Sequence, residues 1–124
     1  MLFRSLSDGS GLSRHNLTAP IAFVRLLSAM ATAPTAKIYR DSLPVSGISG
    51  SLRNRMKGTL AQGIVNAKTG SMSGIVSLSG YINPPKYSPL VFSVMLNQHD
   101  QSTSQMVKVV DEIMVVLARV KQCN

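Results

Sequence analysis

Three stretches between residues 64 and 97 restrict the fold of this chain more than anything else in it. Ile64 to Thr69, Ile75 to Ile82 and Leu90 to Asn97 are short, rich in aliphatic and β-branched residues, and bounded by turn formers. In the second, Val76, Leu78 and Ile82 share one face. In the third, Leu90, Phe92, Val94 and Leu96 alternate with Val91, Ser93, Met95 and Asn97. The links are Gly70–Gly74 and Asn83–Pro89. A parallel crossover needs about a dozen residues or more, so neither link can make one. The spacing predicts three consecutive antiparallel strands.

Helical patterns flank them. Pro20 follows Thr18 and Ala19, an arrangement that predicts an N-cap at Thr18 with proline in the first turn. Phe23, Val24, Leu27 and Met30 then recur at helical spacing, and Pro34 disfavours helical geometry before it, ending a helix over 19–33. From Lys37 to Gly50 the chain reads as loop, with Ser49 capping a short helix through Leu52 and Met56 that Gly58 or Gly63 ends. Over 102–121, Met106, Val110, Ile113, Leu117 and Val120 form an apolar stripe, and Lys108, Asp111, Glu112 and Arg119 fall elsewhere. The expectation is an α+β fold: an antiparallel sheet with packed helices. At 124 residues the chain has room for one modest core.

Charge and cysteine content exclude several functions. Thirteen Lys and Arg oppose five Asp and Glu, a formal charge of +8. Nucleic-acid readers cluster basic charge and interleave it with stacking aromatics. The one tight cluster, Arg53, Arg55 and Lys57, has no aromatic near it, and none occurs between Tyr39 and Tyr81. The charge therefore reads as a solvated basic surface or as attraction to anionic cell-wall or membrane polymers, and nucleic acid is not the expected partner. Cys123 is the single cysteine, so no internal disulfide can form. His15 and His99 have no further ligand at metal-binding spacing, and neither a metal nor a cofactor is expected. The first residues lack the apolar core of a signal peptide, and no apolar run reaches the ~20 residues of a membrane-spanning helix.

The run that carries chemistry is Lys68-Thr69-Gly70, read as closing the first strand and followed by Ser71. Period-two alternation sets the Thr69 and Ser71 hydroxyls on one face, where both can donate to a carboxylate. Gly70 removes a side chain and lets a ligand approach the backbone. Lys68 adds a charge that attracts an anion and tunes a neighbouring hydroxyl. The triplet K-T-G occurs beside S-x-x-K in penicillin-binding proteins and class A β-lactamases.

Four segments, in order, resemble one family over nearly the whole chain. They are Asp8-Gly9-Ser10-Gly11-Leu12-Ser13-Arg14-His15-Asn16; Leu43-Pro44-Val45-Ser46-Gly47 with Gly50-Ser51-Leu52-Arg53-Asn54-Arg55; Ala67 to Ile75; and Leu78-Ser79-Gly80-Tyr81. The family is peptidase S13, the penicillin-binding-protein-4-like D-alanyl-D-alanine carboxypeptidases and endopeptidases. The resemblance implies the C-terminal portion of the serine β-lactamase/DD-peptidase fold, with residues 1–124 as a single partial domain. It implies a periplasmic or cell-envelope enzyme that acts on peptidoglycan peptides ending in D-Ala-D-Ala and is acylated by β-lactam antibiotics. Lys68 would be catalytic, and Thr69, Gly70 and Ser71 would bind substrate, the Ser71 N–H as an oxyanion donor.

One departure weighs most. No serine in the chain has lysine three positions on, and none has asparagine two positions on. The nucleophile of S-x-x-K and the S-x-N serine are thus missing from these residues, so the chain alone is expected to be inactive, with the missing wall supplied by an N-terminal segment or a partner chain. Tyr81-Ile82-Asn83 spells the Y-x-N of related enzymes but follows K-T-G, and reads as structural. Two further classes stay open: a non-catalytic envelope or scaffold protein, set apart by whether an S-x-x-K segment accompanies the chain, and a basic nucleic-acid binder, which salt-dependent retention on nucleic acid would reveal.

Overall fold

The computed structural model describes residues 5–97 and 100–122; His99 and Cys123 lie outside them. The three predicted strands are β1 (Val65–Met72), β2 (Ile75–Ile82) and β3 (Leu90–Asn97), antiparallel in the order β1-β2-β3. β2 and β3 begin and end where the alternation placed them. β1 runs three residues beyond Thr69, because Met72 pairs with Ile75 and the turn shrinks to Ser73-Gly74, with Gly74 at φ 74°. Lys68-Thr69-Gly70 therefore sits inside the strand and does not close it.

Helices cover both faces. α1 (Pro20–Thr32) and α3 (Thr103–Leu117) match the two long helical patterns within a few residues. Proline opens α1 as predicted, but the N-cap is Ala19, without a side-chain hydrogen bond, and not Thr18. α2 (Ala36–Asp41) replaces part of the expected loop. Its turn and a half is too short to display an apolar period, and the Lys37–Asp41 ion pair spans it. The predicted short helix near Leu52 reduces to one 3-10 turn, Gly50–Leu52. Ser49 stands at its N-cap position, yet its hydroxyl accepts the Val45 N–H at 3.0 Å. α3 opens with a capping box: the Ser102 hydroxyl accepts from the Gln105 N–H, and the Gln105 side chain accepts from the Ser102 N–H.

The main core lies between α3 and one sheet face. Val65, Ala67, Val76, Leu78, Ile82 and Phe92 meet Val110, Met114 and Ala118 there, with Leu52 and Met56 closing the side. The stripe on α3 is turned from the one the spacing suggested: Met114 is fully buried, whereas Ile113 is 36% exposed. Ile113-Met114-Val115-Val116 is apolar at every position, so the sequence pattern there carries no phase. Docking selects the i, i+4 row Val110–Met114–Ala118. A smaller core on the opposite face joins Leu27 of α1, Leu43 and Tyr81.

β1 is fixed from both sides. Gly80 faces Ala67 across the β1–β2 pair, and a methyl group there would lie 2.6 Å from the Ala67 Cα and collide with the Asn66 carbonyl. These are backbone atoms that cannot rotate away. Gly80→Ala is expected to destabilise the fold by roughly 1–3 kcal/mol, the usual range for overpacking. Thermal unfolding checks this, and an unchanged melting temperature would refute the close approach. On the outer side, fully buried Ser46 anchors the start of β1. Its hydroxyl donates to the Ala61 carbonyl (2.6 Å) and accepts the Val65 N–H (3.2 Å), and its own N–H donates to the Val65 carbonyl.

Candidate functional site

The outer edge of β1 is divided in two. Its first half is paired: the Ala67 N–H donates to the Pro44 carbonyl at 3.0 Å, and Val45 bridges Asn66. The backbone period of two turns the Thr69 and Ser71 N–H and C=O groups toward the same edge, beyond the reach of the 44–46 segment. Those two residues present their backbone on the open half, as a strand-like ligand would require. The arrangement follows from the sequence: Pro44-Val45-Ser46 runs antiparallel to β1 opposite Ala67, Asn66 and Val65, Pro44 has no N–H to extend the pairing, and the chain before Leu43 is the helix α2 and not an extended segment.

Side chains of the run divide between the two faces. Thr69 and Ser71 pair with Leu78 and Val76, on the α3 side, as the alternation predicted. Lys68 and Gly70 pair with Ser79 and Ser77, on the α1 side. Lys68 is exposed, and its ammonium donates to the Thr69 carbonyl at 2.6 Å, curling round the edge. The Thr69 hydroxyl donates to the Ser51 hydroxyl at 2.9 Å. Ser51 was visible in the sequence only as part of the Gly50-Ser51-Leu52 segment. Its contact with Thr69 joins residues 18 apart and has no local signal. The space above Gly70 is not empty on the α1 side. A β-carbon there would lie 2.5 Å from the Ser77 hydroxyl oxygen, so on that side glycine makes room for the neighbouring strand.

Between α1 and this sheet face lies a cleft of about 240 Å³, lined by Phe23, Leu27, Tyr39, Lys68, Ser77 and Met95 among others. Ser79, directly across from Lys68, lines it too, and its hydroxyl is hydrogen-bonded to that of Ser93 on β3 at 2.9 Å. The cleft thus sets the Lys68 stem and strand hydroxyls against an apolar helix face.

The other segments singled out in the sequence serve as structure. The Asp8 carboxylate accepts from the Asn16 amide (3.0 Å), the Ser10 hydroxyl and the Gly11 N–H, while the Asn16 side-chain oxygen accepts from the Ser7 and Asp8 N–H groups. These bonds, the Asn16 amide first, hold the Asp8 carboxyl below its usual pKa. Tyr81 is buried and donates its hydroxyl to the Leu27 carbonyl at 2.8 Å, with the Arg40 guanidinium 4.7 Å from its ring centre. Burial raises its pKa, and it braces α1 on the sheet. Arg55 clamps Asp111 of α3, donating from Nη2 at 2.7 Å and from Nε at 3.0 Å. Among the described residues no group of His, Cys, Asp and Glu is placed to hold a metal ion, and no helix is long and apolar enough to cross a membrane.

An antiparallel sheet between helices, with Lys-Thr-Gly-Ser along its open edge strand, is the architecture of the DD-peptidases. The crystal structure of penicillin binding protein 4 from Haemophilus influenzae superposes with a TM-score of 0.82 at 26% identity, over 94% of this chain and 28% of that one. The same protein has been seen in complex with a β-lactam. A D-alanyl-D-alanine carboxypeptidase of Actinomadura sp. (strain R39) is 48% identical over 99 residues, which cover 76% of this chain and 18% of that protein. The penicillin-sensitive carboxypeptidase A of Dictyostelium discoideum is 34% identical over 119 residues, 90% of this chain and 23% of that protein. The family model matches residues 4–120, and the chain belongs to the D-Ala-D-Ala carboxypeptidase 3 (S13) family. It spans about a fifth of the length of these curated relatives.

Proposed function

We propose that this chain is the C-terminal part of a serine-type D-Ala-D-Ala carboxypeptidase or endopeptidase domain, and that it supplies the substrate-binding wall of the cleft. The observation that carries this reading is the open half-edge of β1, where Thr69 and Ser71 offer backbone groups and Lys68 brings a positive charge beside them. A peptidoglycan stem peptide ending in D-Ala-D-Ala is extended and anionic at its terminus. Along this edge it would hydrogen-bond as an added strand, with its carboxylate near Lys68 and the Thr69 hydroxyl. The Ser71 N–H points out of the same edge and would donate to the oxyanion formed when the scissile carbonyl is attacked. The attacking serine, its lysine and the S-x-N serine would come from outside these 124 residues. β-Lactams would engage the same groups, and the cell envelope is where such a substrate occurs.

The division of labour has a direct test. Purified 1–124 mixed with a labelled penicillin is expected to show no covalent adduct by intact mass, because no S-x-x-K serine is present to be acylated. A stoichiometric adduct on any serine of the chain would mean that the nucleophile lies within it and that the reading of one isolated wall is wrong.

A further inference from the structure

Thr69 has one hydroxyl proton, and in this structure it is spent on Ser51, at 2.9 Å. An exposed threonine on an edge strand still has more than one staggered χ1 rotamer open to it, and a hydrogen-bond partner selects among them. Ser51 is the side chain that does so, and it is itself held by the fold. It sits in the 3-10 turn Gly50–Leu52, whose Leu52 is fully buried against the sheet. Gly50 takes φ 55° with the Pro44 ring packed where a side chain would stand. The Leu52 carbonyl accepts from the Gly47 N–H at 2.9 Å, and the Arg55–Asp111 clamp ties the following residues to α3. An exposed hydroxyl on so constrained a turn has its position fixed by the core beneath it.

We infer that Ser51 is a positioning residue for the proposed carboxylate site: it holds the Thr69 hydroxyl in one rotamer and, when an anionic ligand end arrives, reverses its own hydrogen bond. In the unliganded chain Ser51 accepts. With a carboxylate at the edge, the Thr69 proton turns to the carboxylate and the Ser51 hydroxyl rotates to donate to the Thr69 oxygen. No bond to carbon changes, and each hydroxyl keeps its own proton. Two hydroxyls in series polarise one another, so the bond that Thr69 makes to the anion strengthens. Alanine at 51 would remove both the restraint and the polarisation, whereas threonine would keep both.

This inference rests on Thr69 binding the substrate carboxylate, and the tests separate the two. In the 124-residue chain, three-bond NMR couplings of Thr69 are expected to report a single χ1 rotamer, averaged in Ser51→Ala and restored in Ser51→Thr. A rotamer unchanged in Ser51→Ala would overturn the positioning role. In a polypeptide that joins S-x-x-K and S-x-N segments to this chain, Ser51→Ala is expected to lower kcat/KM for an N-acyl-D-Ala-D-Ala peptide roughly two- to tenfold, the span of one neutral hydrogen bond. Ser51→Thr should stay near the parent, and the corresponding C-terminal amide should show no Ser51→Ala effect. Equal losses on acid and amide would mean that Ser51 merely supports the loop. An effective Thr69→Val beside a silent Ser51→Ala would sink this inference alone; silence in both would sink the carboxylate site with it.

Discussion

Met114→Asp is expected to abolish cooperative unfolding of the chain, whereas Ile113→Asp, one position earlier on the same helix, leaves it folded. Met114 is fully buried among Val110, Ala118 and the sheet residues of the main core, and among the described residues no Lys or Arg is buried to pair with a carboxylate there. Burying an unpaired polar or charged group costs several kcal/mol, a large part of the ~5–15 kcal/mol that holds a small domain together. Ile113 is 36% exposed, so its carboxylate stays in water and the loss is limited to partial apolar burial. Circular dichroism during thermal or urea unfolding decides between them. Matching midpoints for the two variants would show that α3 does not dock through the Val110–Met114–Ala118 row.

The second large effect belongs to the proposed chemistry and needs the complete cleft. In a polypeptide where S-x-x-K and S-x-N segments precede this chain, Thr69→Val is expected to cut kcat/KM for D-Ala-D-Ala peptides ten- to a hundredfold. A hydrogen bond to a charged group contributes roughly 1.5–3 kcal/mol, and about 1.4 kcal/mol corresponds to one decade of rate. Lys68→Ala is expected to lose more, because it removes a full charge from the anion's end of the cleft and a group able to relay protons to the nucleophile. Lys86→Ala, on the exposed loop between β2 and β3, serves as the control and leaves activity near the parent. Acylation by penicillin at the parental rate in Lys68→Ala would reduce this lysine to a solvated side chain on an edge strand.

Much of this was legible in the residues, for identifiable reasons. The strands of 75–82 and 90–97 show through because period-two alternation leaves one face apolar, and a one-residue slip would expose it. K-T-G was visible because it is contiguous. What escaped was set by contacts between distant parts of the chain. The phase of α3 hides in a uniformly apolar tetrad, and only docking chooses Met114 over Ile113. α2 has too few turns to show a period. The end of β1 depends on a two-residue turn that a Gly- and Ser-rich stretch admits at several positions. The Thr69–Ser51 bond joins a strand to a turn 18 residues earlier, and nothing within either segment announces the other.

The lysine curled over the Thr69 carbonyl has a consequence for how the chain behaves in a crowded solution. An open strand edge invites any second strand, including one from another copy, and such edges are the usual start of aggregation. Here half of the edge is closed by Pro44–Ser46, and the Lys68 ammonium occupies a carbonyl of the remainder while carrying a charge that repels its own counterpart on a neighbour. A segment bringing a negative end can displace that ammonium and pair with it, which a neutral strand cannot. The residue proposed to draw in an anionic peptide would thereby also disfavour pairing of two copies along β1, so exchanging it for a neutral side chain is expected to make that edge more prone to self-association.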